Sequence, residues 1–204
     1  MTHSTGEDLR AFRNDLRGRL VAAREALPAG LHAQLSRKME RHLGALLDAL
    51  NPAVLAFCWP FRGEFDARPL VAQRLGRGLR ACLPVVAGND APLAFRAWTP
   101  QSDMVEDRYG IHIPARGESL RPDVILMPLN AFDEAGYRLG YGGGYFDRSL
   151  AALAPRPRAI GIGFELARVS SIRPQAHDLP MDCIVTEEGI YDVRDGRLQP
   201  RNIL

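Results

Sequence analysis

Lysine is almost missing from this sequence. Of its 26 Lys and Arg residues only Lys38 is a lysine, so an anion held by a cationic side chain is held by arginine. Compositional bias explains most of these arginines, which fall where solvated faces are expected. Cysteine is sparse as well: Cys58, Cys82 and Cys183 each sit in or beside an apolar run. An odd number without close pairing argues against a disulfide framework and predicts reduced, buried thiols. There is no CxxC and the five histidines are scattered, so no zinc site is expected. No apolar stretch approaches the roughly 20 residues that cross a bilayer, and Met1 to Arg10 lacks the apolar core of a signal peptide. The expected compartment is therefore the cytoplasm, with no membrane partner. A formal charge of +2 without a basic stripe interleaved with aromatics gives no reason to expect a nucleic-acid surface. What remains is a chain of 204 residues, enough for one α/β domain or at most two small ones.

Two amphipathic helices come first. Leu9, Phe12, Leu16 and Leu20 recur at three- and four-residue spacing within Glu7 to Leu27, which Pro28 ends. Leu35, Met39, Leu43, Leu46 and Leu50 do the same within Leu31 to Leu50, which Asn51-Pro52 stops. From residue 53 the pattern changes to short apolar runs alternating with helical stretches. Strands are expected at Val54 to Phe57, Ala81 to Val86, Leu93 to Trp98, Asp123 to Met127, Ala159 to Phe164 and Cys183 to Val185, with helices at Arg68 to Gly76 and Gly144 to Leu153. Such alternation implies crossover connections and a three-layer α/β fold, a mainly parallel sheet with helices on both faces. No linker or repeat interrupts it. The organisation predicted is a single domain over 1–204: helices in 7–50, an α/β core in 53–192, and a surface tail from 193 to 204.

The segment Phe132-Asp-Glu-Ala-Gly-Tyr-Arg-Leu-Gly-Tyr-Gly-Gly-Gly-Tyr-Phe-Asp-Arg148 lies between a predicted strand and a predicted helix. In an open α/β sheet that is where ligands bind, and a helix N-terminus there favours an anion. Gly140, Gly142, Gly143 and Gly144 leave room for phosphate oxygens to approach the backbone amides. The loop is neither a P-loop nor a dinucleotide fingerprint, and a glycine run alone is as often a tight turn. Its neighbours tip the balance: Arg138 and Arg148 flank it, Asp147 can reach a divalent cation, and Tyr141, Tyr145 and Phe146 can stack on planar rings.

Pro128 to Arg148 resembles the signature of the 5-formyltetrahydrofolate cyclo-ligases, F-D-x-x-G-x-R-L-G-x-G-G-G-[YF]-[YF]-D-R after a proline. The likeness continues through Gly63 to Leu70, Ile160 to Glu165, His177 to Asp182 and Val185 to Glu187. It implies the layered architecture shared by sugar-phosphate isomerases and CoA transferases. It also implies an ATP-dependent closure of 5-formyltetrahydrofolate to the methenyl form through a phosphorylated formyl oxygen, where the protein positions groups and neutralises charge. By the same resemblance Arg138, Gly140, Gly142, Gly143, Gly144 and Tyr145 hold the ATP phosphates, and Tyr145 and Arg148 carry the chemistry. Asp147 and Asp182 would hold Mg²⁺, and Glu64, Trp59 and Tyr145 would face the folate.

The family also anchors phosphate with a Lys and an Arg from the first helix, which here has no lysine. Two of Arg10, Arg13 and Arg17, neighbours on one side of that helix, could take over, with Arg10 and Arg13 carried forward as candidates. His112 is assigned no chemistry, and His177, in the matching His-Asp segment, reads as a capping or loop-fixing residue at least as readily as a catalytic one. Asp66 reads as a cap for the helix beginning Arg68-Pro69. The partners expected are reduced folate and ATP, for a monomer.

Overall fold

The computed structural model describes residues 6–201. Helices α1 (Gly6–Glu25) and α2 (Ala29–Leu50) come first. The left-handed Asn51, whose amide donates to the Leu47 carbonyl at 2.8 Å, closes α2. Strand β1 (Val54–Ala56), helix α3 (Arg68–Leu75) and strands β2 (Arg80–Val86), β3 (Leu93–Trp98), β4 (Met104–Glu106), β5 (His112–Pro114), β6 (Val124–Pro128), β7 (Ala131–Asp133) and β8 (Arg138–Leu139) follow. Helix α4 (Tyr145–Ala152) then precedes β9 (Arg158–Ile162), β10 (Arg168–Val169), β11 (Cys183–Thr186), β12 (Gly189–Arg194) and β13 (Arg197–Pro200).

The main sheet has eight strands in the order β13-β12-β11-β9-β6-β1-β2-β3. Its centre, β11-β9-β6-β1-β2, is parallel throughout, and the antiparallel strands lie at the two edges. The apolar runs alternate across it. Leu55, Leu83, Leu126, Ile160 and Val185 face a core with Met39, Leu43, Leu46 and Leu47 of α2 and Leu70 and Val71 of α3. Ala56, Cys82, Ile125, Met127 and Ile184 face the other way, toward Leu150 of α4 and Phe132 of β7. Both faces of the central strands are thus dry, as the near-continuous Val124–Pro128 run requires.

The predicted three-layer architecture holds, with two differences. The second face is covered by α4 together with a small sheet ordered β10-β7-β8, strands too short to read from periodicity. The expected tail is also not a tail. Residues 189–200 form a hairpin that extends the sheet from β11, burying Ile190 and Asp192; residues 202–204 lie outside the described part. Among the described residues no helix is long and apolar enough to cross a membrane.

Candidate active site

The carboxyl ends of β1 and β6 open on a cavity of about 860 Å³, lined by Cys58 and Trp59 after β1 and Pro128 at the end of β6. This is the position that open parallel sheets offer a ligand. Helix α1 closes one side: Leu16, with Phe12 and Leu20, packs on Ala131 and Leu139 of the small sheet, while Arg10, Arg13 and Arg17 line the cavity.

The glycine loop, residues 140–144, hangs between β8 and α4. Arg17 Nε donates to the Gly140 carbonyl at 2.7 Å, and its guanidinium lies 3.3 Å from where a Cβ on Gly142 would stand. Gly142 and Gly144 have φ of 96° and 63°, conformations that L side chains rarely adopt. Arg13 donates to Asp178 Oδ2 at 2.6 Å and to Gln175 Oε1 at 3.1 Å, joining α1 to the 175–178 loop. Burial and the neighbouring Arg13 hold the Arg17 guanidinium below its usual value. Positive charge crowded beside a glycine loop is relieved by an anion. Arg138, on β8 with a side chain only 5% exposed, pairs with Asp147 in the first turn of α4 at 3.0 and 3.3 Å.

The cavity lining also includes Glu64, 9% exposed. Its Oε2 accepts from the Phe61 amide at 3.0 Å and its Oε1 from the Tyr141 hydroxyl at 2.8 Å. Burial raises its pKa above the usual carboxylate range, opposed by Arg24, 3.7 Å away, and by these two hydrogen bonds. Burial, with Glu64 beside it, likewise pushes the Tyr141 hydroxyl up. Trp59 carries the Arg68 guanidinium 4.1 Å from its ring centroid and stacks on His112 at 5.1 Å and 23°. Its indole surface is engaged by protein groups, and the ring serves as a wall. Tyr145 Oη accepts from Arg108 at 2.7 Å and lies 3.1 Å from Tyr109 Oη, so the β4–β5 hairpin reaches over the start of α4.

The structure therefore brings Arg10, Arg13, Arg138, Gly140, Gly142, Gly143, Gly144, Tyr145, Trp59, Glu64 and Asp147 to one cavity. The structure gives two of the expected residues other partners. The Arg148 guanidinium donates to the Gly143 and Asn89 carbonyls at 2.9 and 3.2 Å and lies 4.9 Å from the Tyr145 ring centroid, bracing the loop. Asp182 stands just before β11, with Oδ2 accepting from Ala159 of β9 at 2.6 Å and both oxygens accepting from Arg156 at 2.9 Å. Those are the amino-terminal ends of parallel strands, away from the ends that open on the cavity, so Asp182 does not fit a shared metal site. Asp147 lies beside the glycine loop; Arg138 and the Leu179 amide occupy its Oδ1, and Oδ2, which meets only Arg138, keeps a lone pair that fits a cation carried on phosphates. No cluster of three His, Cys, Asp or Glu side chains that could hold a metal occurs among the described residues.

Sequence reasoning assigned no site role to Arg24, Tyr109, Asp178 or His112. Arg24 had a signal, a basic residue in the last turn of α1, and Asp178 lies within the matching His177 to Asp182 segment; Tyr109 comes from the β4–β5 turn and His112 from the short strand β5, whose approach to the cavity no local pattern reveals.

The model of the 5-formyltetrahydrofolate cyclo-ligase family matches residues 10–187. The 5-formyltetrahydrofolate cyclo-ligase of Escherichia coli strain K12 is 35% identical over 142 residues, 65% of this chain and 76% of that protein. The cyclo-ligase of Mycolicibacterium smegmatis is 28% identical over 196 residues, 89% of this chain and 97% of that one. The NMR structure of Aquifex aeolicus 5,10-methenyltetrahydrofolate synthetase matches with a TM-score of 0.76 at 30% identity, covering 93% of this chain and 97% of that chain.

Proposed function

The chain belongs to the 5-formyltetrahydrofolate cyclo-ligase family, and from that premise we propose that its cavity couples ATP cleavage to closure of 5-formyltetrahydrofolate into 5,10-methenyltetrahydrofolate. It is a folate cyclo-ligase of one-carbon metabolism. The observation that supports the ATP-dependent reading is one cavity lined both by arginines and a glycine loop and by a buried carboxylate set among aromatics.

The formyl oxygen attacks the γ-phosphorus of ATP and ADP leaves. N10 then attacks the activated formyl carbon, losing its proton to solvent, and phosphate departs with the oxygen to leave the methenyl bridge. Arg10, Arg13, Arg17 and the amides of residues 140–144 bind and orient the phosphates, which is most of what phosphoryl transfer asks of a protein. Glu64 accepts hydrogen bonds from the pterin, Trp59 walls its ring, and Tyr145 stands between the two substrates. Asp147 is the carboxylate that would share Mg²⁺ with the phosphates. The bound cation would neutralise charge developing on the bridging oxygens.

Incubating the purified protein with 5-formyltetrahydrofolate, ATP and Mg²⁺, and following the methenyl chromophore, tests this directly. The absorbance should rise only when all three are present. Turnover without ATP, or tight binding of both substrates without turnover, would overturn the reading.

A further inference from the structure

One side chain of the glycine loop, Tyr141, reaches Glu64. The Tyr141 hydroxyl donates to Glu64 Oε1 at 2.8 Å and accepts from Arg24 Nη2 at 3.0 Å. Arg24, 5% exposed in the last turn of α1, is absent from the cavity wall. Its other donors go to the Arg62 carbonyl at 2.9 Å, the Leu129 carbonyl at 3.1 Å and Asn130 Oδ1 at 3.1 Å. One guanidinium thus fixes the approach to Glu64, the exit from β6 and the glycine loop together.

We propose that the Tyr141–Glu64 hydrogen bond, aligned by Arg24, couples the two substrates, so that nucleotide and folate each strengthen the binding of the other. Gly140, whose carbonyl Arg17 holds, and Gly142, at φ 96°, flank Tyr141. A rotation at either glycine moves the hydroxyl off Glu64, and phosphates seated on the loop amides remove that freedom. Once Tyr141 is fixed, Oε1 is fixed with it, since the Phe61 amide already holds Oε2. Folate on an ordered Glu64 holds the loop in its phosphate-binding form in return, because binding coupling is reciprocal. Arg24 touches neither substrate and acts as a positioning residue. This inference rests on the substrates proposed above.

The experiment is calorimetric titration of a non-hydrolysable ATP analogue with and without 5-formyltetrahydrofolate, and the reverse, on the parent protein, Tyr141→Phe and Arg24→Lys. In the parent each ligand should tighten the other roughly five- to tenfold, the lower range of measured couplings. Tyr141→Phe keeps the ring and its edge contact with Phe61 at 5.9 Å, so the two affinities should become independent. Arg24→Lys should weaken the coupling, since one ammonium cannot span the same acceptors. Glu64 faces Arg24 of α1, Tyr141 of the loop and Cys58 after β1. Loss of the hydroxyl in Tyr141→Phe should therefore move the acid limb of folate binding to higher pH, which a merely structural contact would not do. Undiminished coupling in Tyr141→Phe, or independent binding of both ligands by the parent, overturns the proposal alone. Failure of the parent to bind either ligand overturns the functional reading and the coupling with it.

Discussion

Glu64 is buried with its pKa raised, and the sign of that shift makes two predictions. The neutral carboxyl is favoured in the fold, so its contribution to stability is fully present below the unfolded pKa and is lost as pH rises through the higher folded value. In the proposed role Glu64 meets the pterin as the anion, so kcat/KM for folate should fall as pH drops through that raised pKa, above the usual carboxylate range. Glu64→Gln should flatten this limb and cost about 1.5–3 kcal/mol of transition-state binding, the worth of a charge-assisted hydrogen bond. A pH–rate profile unchanged by the substitution would refute the assignment. The aspartates divide similarly: Asp147→Asn should raise the Mg²⁺ needed for half-maximal rate, and Asp182→Asn, which loses only its bonds to Arg156 and Ala159, should not. A motif reads residue types at fixed spacing, which is how Glu64, Arg138 and the glycines were legible. It does not show which end of a parallel strand a flanking carboxylate occupies, and Asp182 lies at the amino-terminal one.

Helix α1 was read correctly as an element, because Leu16 and its apolar neighbours follow a helical period, but its chemistry is divided by position. Arg13 is bound to Asp178, Arg17 holds Gly140, and Arg24 is buried behind the cavity wall. Periodicity places all of them on a helix and cannot say what each meets. Arg17→Ala should release the Gly140 carbonyl and remove a cation from the phosphate side, raising KM for ATP by about tenfold, near the worth of one such bond, with a smaller rise in KM for folate passed on through Tyr141. Steady-state kinetics with each substrate varied decides this, and equal rises in both constants would count against it. The loop it supports is tight in an unexpected way. A Cβ on Gly143 would stand 2.6 Å from Cε2 of Tyr145, so the first group displaced is the ring that meets Arg108 and Tyr109. Gly143→Val should cost about 1–3 kcal/mol by overpacking and weaken ATP binding through Tyr145, as a thermal melt and an ATP titration would measure.

At the scale of the molecule the site depends on a strand that the sequence disguised. Residues 189–200 are polar, with Asp192, Arg194, Asp195 and Arg197 among them, and an edge hairpin exposes one side of such a run, so alternation is weak. The structure nevertheless docks β12 under the β7–β8 hairpin that carries Arg138. Gly136, at φ 83° in that turn, lies so close to Val193 that a Cβ would stand 2.4 Å from Val193 Cγ2. The Gly136 carbonyl also accepts from the Met181 amide at 2.9 Å. Gly136→Ala should therefore destabilise by about 1–3 kcal/mol through strain and overlap, lowering Tm by about 2–4 °C per kcal/mol in a chain of this size. Because Arg138 follows two residues later, KM for ATP should rise as well. Adding Val193→Ala to Gly136→Ala removes the overlap but leaves the positive φ, so part of both losses should return. A double variant no better than Gly136→Ala by melt and kinetics would mean that β12 does not seat the hairpin, and that the phosphate side of the cavity stands without it.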